Sequence, residues 1–246
     1  MDLLKEQLNT KESLKYIQPS KRFTHLSIEF PKLERIDSAG SRVYKTPTGN
    51  LYPSVTSITS LQNRSSIVEW RTRVGNTEAN RISRQASSRG TLIHKWSEKY
   101  LLNDGFEYDT EDLVESTLSQ DFTNFMPVLN EIDNIMALET PLYSHELQCA
   151  GTVDCIATFK NKVSLIDFKT ASRPKEKKWI QNYFMQASAY AHMFKELKGQ
   201  PIQQTVLLFL VDGGETQIFT ENPNSHLEMF RFYREQYRKE NELAVE

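Results

Sequence analysis

Gly151-Thr152-Val153-Asp154-Cys155-Ile156-Ala157-Thr158-Phe159-Lys160-Asn161-Lys162-Val163-Ser164-Leu165-Ile166-Asp167-Phe168-Lys169-Thr170 is the stretch on which the reading of this chain turns. Residues 152–159 and 163–168 have the β-branched and aromatic make-up of strands. Between them Lys160-Asn161 is polar and holds an asparagine, a residue that tolerates positive φ, which predicts a two-residue hairpin loop. That loop pairs Phe159 with Lys162 and sets Asp154 opposite Asp167. Facing residues hold their Cβ atoms about 4.5–5.5 Å apart, so the two carboxylates project together from one face. Period-two alternation adds Lys169 to that face and turns Ile166 and Phe168 the other way, with Val153, Cys155 and Ala157. A slip of one residue would carry the whole set to the opposite face, so the turn decides the site.

Two close carboxylates repel unless a cation lies between them. With a lysine beside them they suit phosphodiester hydrolysis: hard oxygen ligands hold Mg²⁺ or Mn²⁺, the ion polarises a phosphoryl oxygen and acidifies water, and the ammonium meets growing negative charge. An isolated Asp-x-Lys is ordinarily a structural ion pair, and the opposing Asp154 weighs against that reading.

Outward from the hairpin, residues 142–147 predict a preceding strand, and about 177–197 a long helix after it. Residues 205–211 and 216–219 predict strands around Asp212-Gly213-Gly214, and 224–240 a closing helix. Upstream, 67–102 is mainly helical with a break at Ser87-Ser88-Arg89-Gly90, and about 111–138 is a second helical stretch interrupted near Pro127. The first part predicts a helix through Leu3, Leu4, Leu8, Leu14 and Ile17, a strand over 23–30, a hairpin over 42–52 turning at Thr48-Gly49-Asn50, and a helix capped by Ser54 or Thr56. The division expected is an N-terminal addition over 1–63 and a main domain over 64–246. Within the latter lie a basic helical region, 64–103, and a core over 88–220.

At 246 residues, 38% hydrophobic and 25% charged, the chain has the composition of a folded protein. Its longest apolar run, residues 206–211, is far short of a membrane span, and its first residues lack the layout of a signal peptide, so an intracellular protein with no membrane partner is expected. Two cysteines give neither a disulfide framework nor the quartet of an iron–sulfur cluster. The net charge of −2 hides an uneven spread: residues 64–99 carry eight basic side chains, and Arg173, Lys175, Lys177 and Lys178 follow the Asp-x-Lys strand. With Trp70, Trp96 and Trp179 these could follow phosphates and stack bases, although most charge runs are only solvated surface.

In order, Arg89-Gly90-Thr91-Leu92-Ile93-His94, Gly151-Thr152-Val153-Asp154, Ile166-Asp167-Phe168-Lys169-Thr170 and Gln186-Ala187-Ser188-Ala189-Tyr190 resemble the motifs of the PD-(D/E)XK nuclease superfamily in its RecB-like branch, among its mitochondrial and phage exonucleases. Tyr52-Pro53-Ser54-Val55-Thr56 resembles the N-terminal segment of that group. The resemblance implies an α/β, restriction-endonuclease-like core, helix–three-strand–helix–strand, with a mixed sheet flanked by helices. It further implies metal-dependent cleavage of DNA with a preference for free ends. By residue it implies His94, Asp154, Asp167 and the Phe168 backbone carbonyl as metal ligands, Lys169 as catalytic lysine, and Gln186 and Tyr190 as the Gln-x-x-x-Tyr pair toward DNA. Val153 stands where the superfamily name has proline. Arg89, Arg173 and Lys175 are further candidates for DNA contact, and Glu98 and Glu139 for support of the metal. Two rivals remain at this point: an endonuclease using the same site, and a DNA-binding module that no longer turns over. Protein partners are not indicated.

Overall fold

The computed structural model describes residues 13–38 and 41–242. The central hairpin forms as its turn predicts. Lys160 and Asn161 both take positive φ, 48° and 63°, the pair of left-handed residues that a type I′ turn requires. Strand β7 (Cys149–Phe159) therefore pairs with β8 (Lys162–Ala171) with Phe159 opposite Lys162 and Cys155 opposite Ile166. There the ladder stops, and the Phe168 N–H donates instead to Asp154 Oδ2 at 2.8 Å.

Among the described residues the hairpin lies in a five-stranded sheet of order β10-β9-β8-β7-β6, where β6 is Ile132–Ser144, β9 Gln204–Val211 and β10 Thr216–Glu221. Only β8 and β9 run parallel in it, joined by helix α5 (Gln181–Lys198) as a parallel pair needs a crossover. Alternate residues feed two cores. Ile156, Leu165, Leu207 and Phe209 pack toward α5 and α6 (Leu227–Glu242). Cys155, Ala157, Ile166, Phe168 and Leu208 pack toward α3 (Asn76–Leu101) and α4 (Leu113–Leu129). The result is a mixed α/β fold with a helical layer on each face of the sheet, in which the element order around the hairpin is the expected one. Val153 departs from expectation: it joins the α5 side, because the regular alternation ends with the ladder at Cys155.

Several upstream expectations are corrected. Leu14–Ile17 is not helical but forms β1, antiparallel to β5 (Phe106–Asp109), while Leu3, Leu4 and Leu8 lie outside the described residues. Residues 23–30 make no strand; they reduce to a bridge between His25 and Ile135, with Leu26 N and Ile135 N donating across it, which covers the outer edge of β6. The hairpin over 42–52 is present as β3 (Ser41–Lys45) and β4 (Leu51–Pro53), with an unforeseen partner, β2 (Glu34–Ser38). Ser54 caps α1 (Val55–Thr59), accepting from Ser57 N.

The helical break falls at Gly75, between α2 (Arg64–Val74) and α3, where φ of 83° is freely open to glycine. Ser87 to Gly90 lie inside α3, held against β8: Thr170 Oγ1 is 3.9 Å from where a Gly90 Cβ would sit. Helix α4 continues past Pro127 but stops at Leu129, and residues 132–138 are strand rather than helix, since pairing with β7 overrides their helix-compatible composition. No helix among the described residues is long and apolar enough to cross a membrane.

Candidate active site

Three strands contribute one row of carboxylates. In β6, Leu138 pairs with Cys155 and Thr140 with Val153, which brings Glu139 opposite Asp154, and Asp154 and Asp167 are the residues just beyond the last β7–β8 pair, Cys155 and Ile166. Glu139 itself adopts φ of 43°, a left-handed conformation rare for a residue with a side chain. The Thr140 hydroxyl braces it, accepting from Leu138 N and donating to Leu138 O.

From α3 above the row, His94 Nδ1 approaches Glu139 Oε1 and Asp154 Oδ1, each at 3.6 Å. Those gaps are too wide for hydrogen bonds. They are close to the roughly 3.0–3.4 Å that separates two atoms each bound about 2.1 Å from one ion. The ligand atoms of His94, Glu139 and Asp154 all lie within 4.8 Å of one another. The ring of Phe168 packs edge-on against the imidazole and fixes its plane.

Asp167 is engaged differently. Its Oδ2 is 2.6 Å from Lys169 Nζ, and its Oδ1 accepts from Gln186 Nε2 at 3.2 Å. Lys169 lies over the Tyr183 ring at 5.1 Å. Burial, reinforced by Asp154, raises the Asp167 pKa to about 6, although Lys169 works in the other direction. Burial also raises that of Asp154, against the pull of His94 and Lys169. For His94 and Lys169 burial disfavours the charged form, but the surrounding carboxylates win and raise both. Glu98, one turn along α3, is raised by burial and by Glu139. The site concentrates negative charge in a place that water reaches poorly.

This row is the floor of a cavity of about 720 Å³. One wall is α3, with Gly90, Thr91, Lys95 and Glu98; another is α5, with Tyr183, Gln186 and Tyr190. The third is the N-terminal sheet, with Arg35, Arg42 and Tyr44. Gly151 is small for a reason: a Cβ there would lie 2.5 Å from the Tyr190 hydroxyl, so the glycine lets that ring reach the cavity.

Of the residues singled out in the sequence, Asp154, Lys169, His94, Gln186, Tyr190, Glu98 and Glu139 line the cavity, and Asp167 bonds into it from beneath. Others are placed elsewhere. Arg89 turns to the opposite side of α3, between Asp121 and Asp212. Arg173 is exposed and Lys175, whose N–H donates to Gln217, lies in the loop after β8, both outside the cavity lining. Much of the basic run is occupied locally: Arg64 with Glu240, Arg71 with Asn80, Arg81 with Glu78. Trp96 is buried, stacked on Phe106, while Trp70 and Trp179 share a separate groove. Arg35, Arg42 and Tyr44 went unnoticed in the sequence, although the alternation of residues 42–45 within a recognised hairpin could have flagged Arg42 and Tyr44.

No family model matches the chain. Over 106 residues it is 30% identical to mitochondrial genome maintenance exonuclease 1 of Xenopus tropicalis, covering 42% of this chain and 29% of that protein. Over 130 residues it is 26% identical to the Homo sapiens protein of the same name, covering 40% and 37% respectively. A solved Eubacterium rectale protein named as a candidate exonuclease superposes with a TM-score of 0.42 at 10% identity, covering 60% of this chain and 64% of that one. The matches span well under half the length of the two curated relatives. Over that partial length, the nuclease resemblance carried by the motifs is met by similarity to mitochondrial genome maintenance exonuclease 1.

Proposed function

We propose that this chain is a divalent-metal-dependent deoxyribonuclease with a PD-(D/E)XK core that digests DNA from free ends, acting on single strands. The observation that carries the reading is the row Glu139, Asp154 and Asp167 beneath His94, with Lys169 at its end. The order α3, β6–β7–β8, α5, β9 accords with such a core, and the relatives' name supports the exonuclease class.

The residues fit a divalent ion. Two carboxylates and an imidazole stand about one ion's width apart, Asp154 buried and His94 and Glu139 half-buried, without a lysine or arginine between them. His94, Glu139 and Asp154 would hold it, with Asp167 adjoining. When bound, Mg²⁺ or Mn²⁺ supplies polarisation of a phosphoryl oxygen and a more acidic water. An imidazole among the donors suits Mn²⁺ better than an all-oxygen site would.

The protein's own groups do the rest. Lys169 places positive charge at the edge of the floor, where negative charge grows on the phosphoryl group as the bond to the leaving oxygen breaks. Asp167, itself held by Gln186, keeps that ammonium in position rather than leaving it free to rotate. Tyr183 and Tyr190 close the side of the cavity and limit water around the reacting phosphate. Walls on three sides favour a strand that enters by its end, and unpaired bases fit such a space more readily than a duplex.

The decisive experiment digests end-labelled linear single strands, linear duplex and closed single-stranded circles with Mg²⁺, Mn²⁺ or EDTA. Loss of the linear single strand with either ion, sparing of the circle, and silence in EDTA are expected. Nicking of the circle at the linear rate would replace the end-dependent reading with an endonuclease, and cleavage in EDTA would remove the metal.

A further inference from the structure

The cavity is stratified by charge: its floor is acidic, and its rim carries Arg35, Arg42 and Lys95. A phosphodiester approaching the floor meets like charge, so something must draw the strand in and hold it. We propose that Arg35 and Arg42 form a clamp for a backbone phosphate of the bound strand, next to the one being cleaved. The proposal rests on the nuclease reading above and assigns a positioning role to the N-terminal sheet.

The cross-strand register explains how two arginines come together. Arg35 lies opposite Tyr44 and Asp37 opposite Arg42, so all four side chains share one face of the β2–β3 pair. Tyr44 is buried against Ala150 and pins that face to the start of β7. Ser54 adds a second tie, donating its N–H to the Arg42 carbonyl and bridging to Ala150. Arg42 is thereby anchored beside the strand that carries Asp154.

Asp37 sits between the two guanidinium groups. Arg35 Nε donates to its Oδ2 at 2.9 Å and to its Oδ1 at 3.2 Å, and Arg42 Nε donates to its Oδ1 at 3.3 Å. Two cations on one carboxylate leave a net positive charge while restricting both side chains. A planar fork whose rotamer is already set matches phosphate oxygens at little further entropic cost. Both arginines remain about half exposed, 48% and 41%, and so are open to a ligand. A purely structural trio would gain little at such a surface, where exposed ion pairs are weak.

The test uses the full chain and a fluorescein-labelled single-stranded oligothymidine. Binding is followed by anisotropy in EDTA across a salt series, and cleavage kinetics are followed with Mn²⁺. Relative to wild type, the double variant R35Q/R42Q should flatten the slope of log Kd against log salt by about 0.7, the share of the one phosphate charge left unneutralised on a single strand. Its KM should rise on the order of tenfold with kcat nearly unchanged, the pattern of weakened uniform binding. R35K/R42K should keep the wild-type slope, and the melting temperatures of all three proteins should agree. Parallel salt lines and equal KM for wild type and R35Q/R42Q would overturn the clamp while leaving the nuclease reading intact. A wild-type protein that neither binds nor cleaves the oligonucleotide would overturn both.

Discussion

Among the described residues, two groups of His, Asp and Glu stand close enough to share an ion, and they behave differently. His94, Glu139 and Asp154 stand on the cavity floor; Glu146, His192 and Glu196 stand on the surface. In the second group the charges are already answered. Glu146 pairs with Arg231 and accepts from His192 Nε2 at 2.9 Å. Glu196 accepts from the His145 and Glu146 N–H groups and from the Ser144 hydroxyl, tying down the turn after β6. In the first group the imidazole stands 3.6 Å from both carboxylates, and burial raises the cost of leaving Asp154 ionised. Residue type alone does not distinguish the two groups; a cavity floor without arginine partners does.

The contrast breaks most readily by removing the floor. Asp154→Ala and Lys169→Ala are each expected to lower cleavage of linear single-stranded DNA by about 10²-fold or more, whereas Glu146→Gln should leave the rate within about twofold. Steady-state rates at saturating Mn²⁺ decide this, and equal losses in the two groups would erase the distinction.

Metal affinity sharpens it next. Isothermal titration of Mn²⁺ should show His94→Ala and Glu139→Ala weakened on the order of 10–100-fold, with His192→Ala indistinguishable from wild type. A weakened His192→Ala would move the ion to the surface group.

A smaller effect concerns pH. The Asp167 pKa rises from 3.8 to about 6 on folding, chiefly through burial. Between those values the folded chain keeps a proton that the unfolded chain has released, so this group destabilises the metal-free fold as pH rises. Urea melts in EDTA from about pH 4 to about pH 7 should therefore show wild type losing ground to Asp167→Asn. Curves that stay parallel would mean that Asp167 ionises at no cost. Glu146→Gln should show the smallest effect, about 1 kcal/mol or less, because its pairs are exposed.

How far the sequence could be read follows from the same comparison. The hairpin was legible because strand alternation and a two-residue polar turn fix register locally, which holds as far as Cys155 and Ile166 and leaves Asp154, Asp167 and Lys169 just beyond the ladder. Glu139 was harder to place. Its segment has helix-compatible composition, its pairing with β7 shifts register between Asp133 and Ala137, and its own positive φ breaks the alternation. No period survives such a segment. His94 emerged only from a family resemblance, since a lone helical histidine carries no geometric signal. Arg35 was invisible because β2, Glu-Arg-Ile-Asp-Ser, has a single apolar residue and gains its place by pairing with β3.

The left-handed backbone at Glu139 has one more consequence. Glycine would adopt that conformation without strain, so selection for thermal robustness alone would favour Glu139→Gly, and the chain as it stands forgoes that gain in order to present a carboxylate. On the nuclease reading proposed above, stability and activity compete at a single φ angle. A library sorted only for heat resistance should drift toward glycine at position 139 and lose its catalysts on the way, whereas one sorted on nuclease activity should hold the acid.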